Sequence, residues 1–404
     1  MRAIHGSWQH GILCFCETMR TGTADLPLHG GRAPAWLMQR MIRLARAVVE
    51  IMVSEYDTRF VLQKLADPFW FQAFGCLLGF DWHSSGLTTT VCAALKAAFQ
   101  TAGSDFPLYA CGGKGSRSRR TPEEIAAACD ALGVDADPLI YASRMAAKID
   151  NAALQDGFQI YHHCFFFDRT GLWAVVQQGM ARENDPLGRP NAGFARRYHW
   201  VADKVGDWTI RPEAAICSEK TAPLVVDTIA KEARPMQQDV TRLLTEEQRE
   251  VQKILKDLPH LRLTPRHRIL LSDIDPRRIS RILLSTYDDP PETFASLIGR
   301  RGIGPATIRA LALTAEIIYG HGPSYRDPAR FSFAHGGKDG TPYPVRRDVY
   351  DETISILNSL VSRARVDQSE KRRAFRRLAV FTTISSAESQ RHSVNRTTSE
   401  TTRL

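Results

Sequence analysis

One strong β-hairpin in an otherwise helical chain sets the fold class. Two β-rich runs, Phe158 to Phe167 and Leu172 to Gln178, are joined by Asp168-Arg169-Thr170-Gly171, and such a pair needs a sheet to complete it. Helical patterns precede it. Pro34 to Tyr56 places Trp36, Leu37, Ile42, Leu44, Val48 and Ile51 on a buried side and Arg40, Arg43 and Arg46 on a basic flank. Asp67 to Leu78 is aromatic-rich, Leu87 to Phe99 follows, and Thr121-Pro122-Glu123-Glu124 reads as a capping box for a helix stopped by Gly133. Asp137-Pro138 opens a helix expected to run to about Gln155. Beyond the hairpin, Arg182 to Phe194 reads as a loop, and Asp239 to Arg363 is almost wholly helical.

The predicted fold is therefore α+β: a mixed α/β N-terminal domain containing the hairpin over 19–235, then an all-α domain over 236–363. Residues 1–18 lack periodicity and are set apart as an extension, with Met19 a plausible start. The 364–404 tail is basic and rich in Ser, Thr and Arg, so it buries too little apolar surface to fold.

Among the 404 residues, 43% are hydrophobic, enough for two ordinary cores, and no apolar run approaches the ~18 residues of a membrane helix. A membrane partner is not expected. The eight cysteines are scattered, without a Cys-x-x-Cys pair, which fits a reducing, cytoplasmic setting. The net charge of +9 suits a polyanion, but from Ala364 to Leu404 nine Lys and Arg face four Asp and Glu, so the tail holds five of the nine excess charges. Local clusters must carry the case for nucleic acid.

The sharpest is Gly302-Ile303-Gly304-Pro305-Ala306-Thr307. Glu292 to Ile298 reads as a short helix stopped by Gly299, and Ile308, Leu311, Ala315 and Ile318 recur at helical spacing until Gly320. Pro305 suits the first helical position, and the amides of Ala306 and Thr307 are expected to face a phosphate at the positive end of the helix. The segment resembles the helix-hairpin-helix motif of DNA repair and recombination proteins. Its residues Gly302, Ile303, Gly304, Ala306 and Thr307 become expected backbone contacts; a plain helical corner is the alternative.

Five other clusters could bear on chemistry. Thr21 to Arg32 contains Asp25 and His29, which could share a metal or a proton, or merely satisfy a structured turn. In Asp81-Trp82-His83-Ser84-Ser85-Gly86, residues two apart in an extended chain point the same way, so Asp81 and His83 could reach one divalent ion. Cys111-Gly112-Gly113-Lys114-Gly115-Ser116-Arg117-Ser118-Arg119-Arg120 reads as a glycine nest with cations ahead of a helix, which makes Lys114 and Arg117 phosphate contacts. It lacks the P-loop order, because Gly115 follows Lys114. The segment from Lys148 to His163 offers Lys148, Asp156 and His162 beside the hairpin. There, ladder pairing is expected to set His162 near Gln177 and Gln178 near Tyr161. Finally, Arg196-Arg197-Tyr198-His199-Trp200 interleaves cations and aromatics as single strands favour, or is a snorkelling surface segment.

Thr21 to Arg32, Asp67-Pro68-Phe69-Trp70-Phe71-Gln72, Gly79 to Gly86, Cys111 to Gly115, Lys148 to Gly157, Trp173 to Met180 and Phe331-Ser332-Phe333-Ala334-His335-Gly336-Gly337-Lys338-Asp339-Gly340 together resemble the domain of unknown function 763 family of archaea and bacteria. The resemblance spans roughly Arg20 to Arg363. It implies a mixed N-terminal domain, a helical C-terminal domain and a suspected nuclease.

The expected function is a metal-dependent phosphodiesterase, a nuclease acting on DNA in repair or processing. Asp81, His83, Asp156 and His162 would be metal or acid/base groups, Lys148 and Lys114 would steady phosphate, and Asp25 with His29 would be the second-choice metal pair. The cofactor would be a divalent metal, Mg²⁺ or Mn²⁺ ahead of Zn²⁺. A non-catalytic DNA-binding scaffold and an enzyme on a small phosphorylated metabolite are the rivals. DNA is the expected partner, and a homo-oligomer stays open.

Overall fold

The computed structural model describes residues 33–80, 85–103, 105–181, 195–211, 216–217, 225–245, 281, 286, 289–329 and 347–379. Helix α1 (Ala35–Glu55) buries Met41, Leu44, Ala45, Val48, Val49 and Met52. Leu37, Ile42 and Ile51 of the expected side pack against the same core, but Trp36 stands 58% exposed under its own Arg40. Asp57 caps α2 (Thr58–Ala66) by accepting the Phe60 amide at 2.6 Å, and Asp67 caps α3 (Pro68–Leu78) through the amides of Phe69 and Trp70. Nearly all of α3 is buried. It stops at Gly79, whose φ of 103° is one that side chains resist, and α4 (Gly86–Thr101) follows.

The sheet runs β1 (Leu108–Lys114), β3 (Phe158–Asp168), β4 (Trp173–Ala181), β5 (Ala195–Val201) and β6 (Ile216–Cys217), each antiparallel to its neighbour; the two-residue β2 (Leu154–Gln155) pairs separately with β7 (Val226–Asp227). At the expected hairpin turn, Asp168 Oδ1 accepts from the Thr170 amide and hydroxyl and from the Leu172 amide, while Gly171 takes φ 87°. A bulge at Tyr161 shifts the ladder by one, so His162 pairs with Gln178 and His163 with Gln177, correcting the register expected for His162.

Period-two alternation splits the sheet between two apolar layers. Phe165, Phe167, Trp173, Val175 and Trp200 face α6 (Thr121–Leu132), α7 (Asp137–Lys148), α8 (Arg234–Thr245), α9 (Phe294–Gly299) and α10 (Pro305–Tyr319). Cys164, Phe166, Ala174 and Val176 face α1 to α4, joined by α11 (Arg347–Arg363) and helical residues 368–379. The boundary expected near residue 235 therefore separates no two cores: helices from beyond it complete both layers. Helix α7 also ends sooner than expected, giving way to a π-turn over Ile149–Ala153 before β2. No helix among the described residues is long and apolar enough to cross a membrane.

Candidate functional site

Local chemistry builds the turn between α9 and α10. A reciprocal capping box between Thr293 and Ser296 starts α9, and Arg300 leaves it in an extended conformation. Gly302 then reverses the chain at φ 85°, Gly304 serves as N-cap, Pro305 opens the 15-residue α10, and Gly320 closes it. The amides of Thr307 and Ile308 both donate to the Gly304 carbonyl at 3.0 Å, and the Thr307 side chain is buried. Thr307 thus serves the turn itself, which corrects its expected role as a free donor. The amides of Gly304 and Ala306 take no acceptor among the described residues, and a Cβ at Gly302 or Gly304 would meet nothing within 4 Å. The turn is open where its donors are bare.

Polar side chains from the sheet layer brace the turn from beneath. Lys148 Nζ donates to the Ile298 carbonyl at 2.7 Å and to that of Arg300, the acceptors left where α9 ends. Partial burial lowers the Lys148 pKa, and its protons serve a helix end where a phosphate contact was expected. Gln155 donates to the Pro305 carbonyl at 2.8 Å while accepting from Arg309 at 2.5 Å, and Ile303 packs against the core.

A second cationic feature lies at the end of β1. The expected glycine nest is an edge strand: Gly112 and Gly113 pair through β1 with Cys164 and His163. At Gly112, with φ 93°, a Cβ would come within 2.3 Å of the His163 carbonyl oxygen and 2.4 Å of Thr121 Oγ1, so only glycine fits. Glu124 forgoes the expected capping box, accepting instead from the Gly112 amide at 2.7 Å and Lys96 at 2.5 Å. Lys114 stands exposed, 5.7 Å from the centre of the Tyr161 ring, and Arg117, Arg119 and Arg120 on α5 (Ser116–Arg119) and just after it are exposed too. The Gly115 amide donates to the Tyr161 carbonyl, and the Ile160 amide to Asn151 of the π-turn, four residues before the Gln155 that holds Pro305. The cationic segment therefore borders the first residues of β3, and the Gly302 turn borders Gln155, just before them in the chain.

The hairpin itself carries polar side chains that the core encloses. On one face, the Gln177 amide donates to the Ala146 carbonyl at 3.0 Å and to Asp150, which leaves its oxygen to accept from His163 Nδ1 at 2.8 Å. His163 Nε2 is then the acceptor for the Ser143 hydroxyl at 2.9 Å, and Trp200 Nε1 donates to Asp150 at 2.6 Å. Burial raises the Asp150 pKa to about 7 and lowers that of His163 to about 4. Asp150 escaped notice in the sequence, although it falls four residues after Ala146 on the buried stripe of α7, where a carboxylate is conspicuous.

Near this row, Asp156 is fully enclosed and accepts from Arg196 at 2.8 Å and from the Tyr198 hydroxyl at 2.9 Å, while Arg196 forks onto Asp327 at 3.0 and 2.8 Å. Asp156 is accordingly a structural ion-pair member, where a metal or acid/base carboxylate was expected. Arg196 and Arg197, expected at a DNA surface, are both buried. Arg197 lies over the Phe71 ring, on the opposite face, with the Pro68 carbonyl at 3.3 Å.

That opposite face also holds His162, fully buried, with neither ring nitrogen hydrogen-bonded among the described residues; burial, then nearby Lys114, lowers its pKa to about 3. Its ladder partner Gln178 donates to the Tyr161 hydroxyl at 2.7 Å and to the carbonyl of Ser85, the first described residue after 81–84, at 2.9 Å. Asp25, His29, Asp81 and His83 lie outside the described residues, and among those described no group of three or more His, Cys, Asp or Glu could hold a metal ion.

The family described as "Protein of unknown function (DUF763)" matches residues 22–345 of the chain. No curated protein and no solved structure matches it.

Proposed function

This chain belongs to the DUF763 family, and from its own geometry we propose that it is a DNA-binding protein that grips the sugar-phosphate backbone without reading bases, in DNA repair or processing. The observation that carries the reading is the braced, open turn at Gly302 to Ala306, with bare amides of Gly304 and Ala306 at the start of a 15-residue helix. The exposed cations Lys114 and Arg117, bordering the first residues of β3, add charge along the path of a bound strand. Gly304→Asp tests it cleanly. Gly304 is extended, at φ −132°, with open space at its Cβ, so aspartate fits as an N-cap that occupies the helix amides and repels phosphate. Thermal stability should hold or rise while DNA affinity at low salt falls tenfold or more; unchanged affinity would sink the proposal. Wild-type affinity should also drop steeply with salt, whereas an enzyme on a small phosphorylated metabolite would bind DNA negligibly at every salt concentration.

One observation favours a second reading, the metal-dependent phosphodiesterase: buried His162 has no partner among the described residues, and its neighbour Gln178 anchors the carbonyl next to the segment bearing Asp81 and His83. The described residues alone do not assemble a metal site, so this reading stands on Asp81 and His83. Incubation of single- and double-stranded DNA with Mg²⁺, Mn²⁺ or Zn²⁺ should give cleavage that Asp81→Ala abolishes. Intact DNA with both proteins leaves the non-catalytic binder.

A further inference from the structure

The outer edge of α7 carries a feature that the backbone grip does not use. Tyr141 and Arg144 are exposed, three residues apart, and Lys148 follows four residues later on the same stripe, where it ties the carbonyls that lead into the Gly302 turn. Tyr141 therefore lies about 10 Å along the helix axis from the residue that holds the turn.

Three large apolar side chains among the described residues are markedly exposed, and two have an intramolecular explanation. Trp36 lies beneath Arg40 at 5.3 Å, and Tyr56 stacks on Phe60 at 4.1 Å with 18° between the rings. Tyr141 is 47% exposed and meets Trp208 perpendicularly, at 84° and 6.3 Å, a contact that steadies the ring yet leaves at least one of its faces to solvent. Trp208 is itself stacked on Trp173 at 5.8 Å and 4°, so the support behind Tyr141 is rigid. Neither Arg144 nor the exposed Arg301, one residue before the turn glycine, has a carboxylate partner among the described residues. A supported aromatic ring with the unneutralised guanidinium of Arg144 one helical turn away is an arrangement that stacks a base while neutralising its phosphate.

We infer that Tyr141 and Arg144 form a stacking site for an unpaired nucleotide, so that the DNA bound at the Gly302 turn is single-stranded, or carries a single-stranded stretch, where it crosses α7. The inference rests on the DNA-binding reading above. A paired base buried in a duplex cannot offer its face to Tyr141, which commits the site to unpaired DNA.

Fluorescence anisotropy with one labelled oligonucleotide, single-stranded and then annealed to its complement, tests it on the full-length protein. Tyr141→Ala should weaken single-strand binding at least about fivefold, the lower value of one stacked base, and change duplex binding less than twofold. Tyr141→Phe, which keeps the ring, should restore the single-strand affinity, and Arg144→Gln should weaken it and flatten its salt dependence. Equal losses on both DNA forms, no loss on either, or a Tyr141→Phe protein as weak as Tyr141→Ala would overturn the stacking site. Gly304→Asp separates the two ideas: if it abolishes binding while Tyr141→Ala does nothing, the grip stands and the stacking site falls. If wild type binds no DNA, both fall.

Discussion

The turn at Gly302 and the polar rows of the β-hairpin invert each other. The turn is chemically plain, yet its donors are bare and its glycines open. The strands carry His162, His163, Gln177, Gln178, Arg196, Arg197 and His199, yet these are sealed between helical layers. Their side chains mostly spend their hydrogen bonds inward: Arg196 on Asp156 and Asp327, His163 on Ser143 and Gln177, Gln178 on Tyr161 and Ser85. An inventory of catalytic residue types is thus no measure of access, and the poorer region is the one that can meet a partner. Polar groups in a core also define which strands and helices belong together, since an unmatched partner leaves one of them unsatisfied.

Breaking this contrast should be most costly in the sealed region. Arg196→Met leaves Asp156 and Asp327 buried without their countercharge, and we expect a loss of about 3–5 kcal/mol of stability in chemical denaturation. A surface-like loss below 1 kcal/mol with reduced DNA affinity would instead return Arg196 to the binding face.

Acid should expose the same enclosure. Folded His163 refuses a proton until about pH 4, while the unfolded chain accepts one near the ordinary imidazole value of 6.5. Its contribution is present above that range and is lost as pH falls through it, for about 3 kcal/mol in all. Asp150 acts oppositely: its pKa raised to about 7 means that stability declines as pH rises from about 4 to 7. Denaturation midpoints across this range should show a shallower acid loss in His163→Gln and a steeper one in Asp150→Asn; unchanged slopes would mean that the row is open to water.

The smallest effect should come from Lys148, which joins the two regions. Lys148→Met removes the donor that ties the end of α9, and we expect about 1–2 kcal/mol of lost stability accompanied by a modest loss of DNA affinity. Lost affinity at full stability would mark Lys148 as a direct phosphate contact.

Much of this architecture could be read from the chain because it is local. The Asp168 turn, the Pro305 helix start and the stops at Gly79, Gly133 and Gly320 each depend on a few neighbouring residues. β1 was illegible because Gly112 and Gly113 look like a loop; their purpose is the close approach of β3 and Thr121, a tertiary fact. The bulge at Tyr161 leaves no mark in the alternation until the partner strand is known. Arg196 and Arg197 mimic a binding surface because charge next to aromatics reads alike inside and outside, and only the distant Asp327 and Pro68 decide between them. The helical pattern of 239–363 likewise carries no sign that α1 and α3 cover Leu357, Leu360 and Val361 of α11.

The layer formed by α1 to α4 has its own timetable. These helices are made well before Leu357, Leu360, Val361, Ala374 and Leu378, which share their core with Met41 and Trp70. Until those residues emerge, the α1 to α4 layer waits with an apolar surface uncovered, exposed to aggregation and to chaperones.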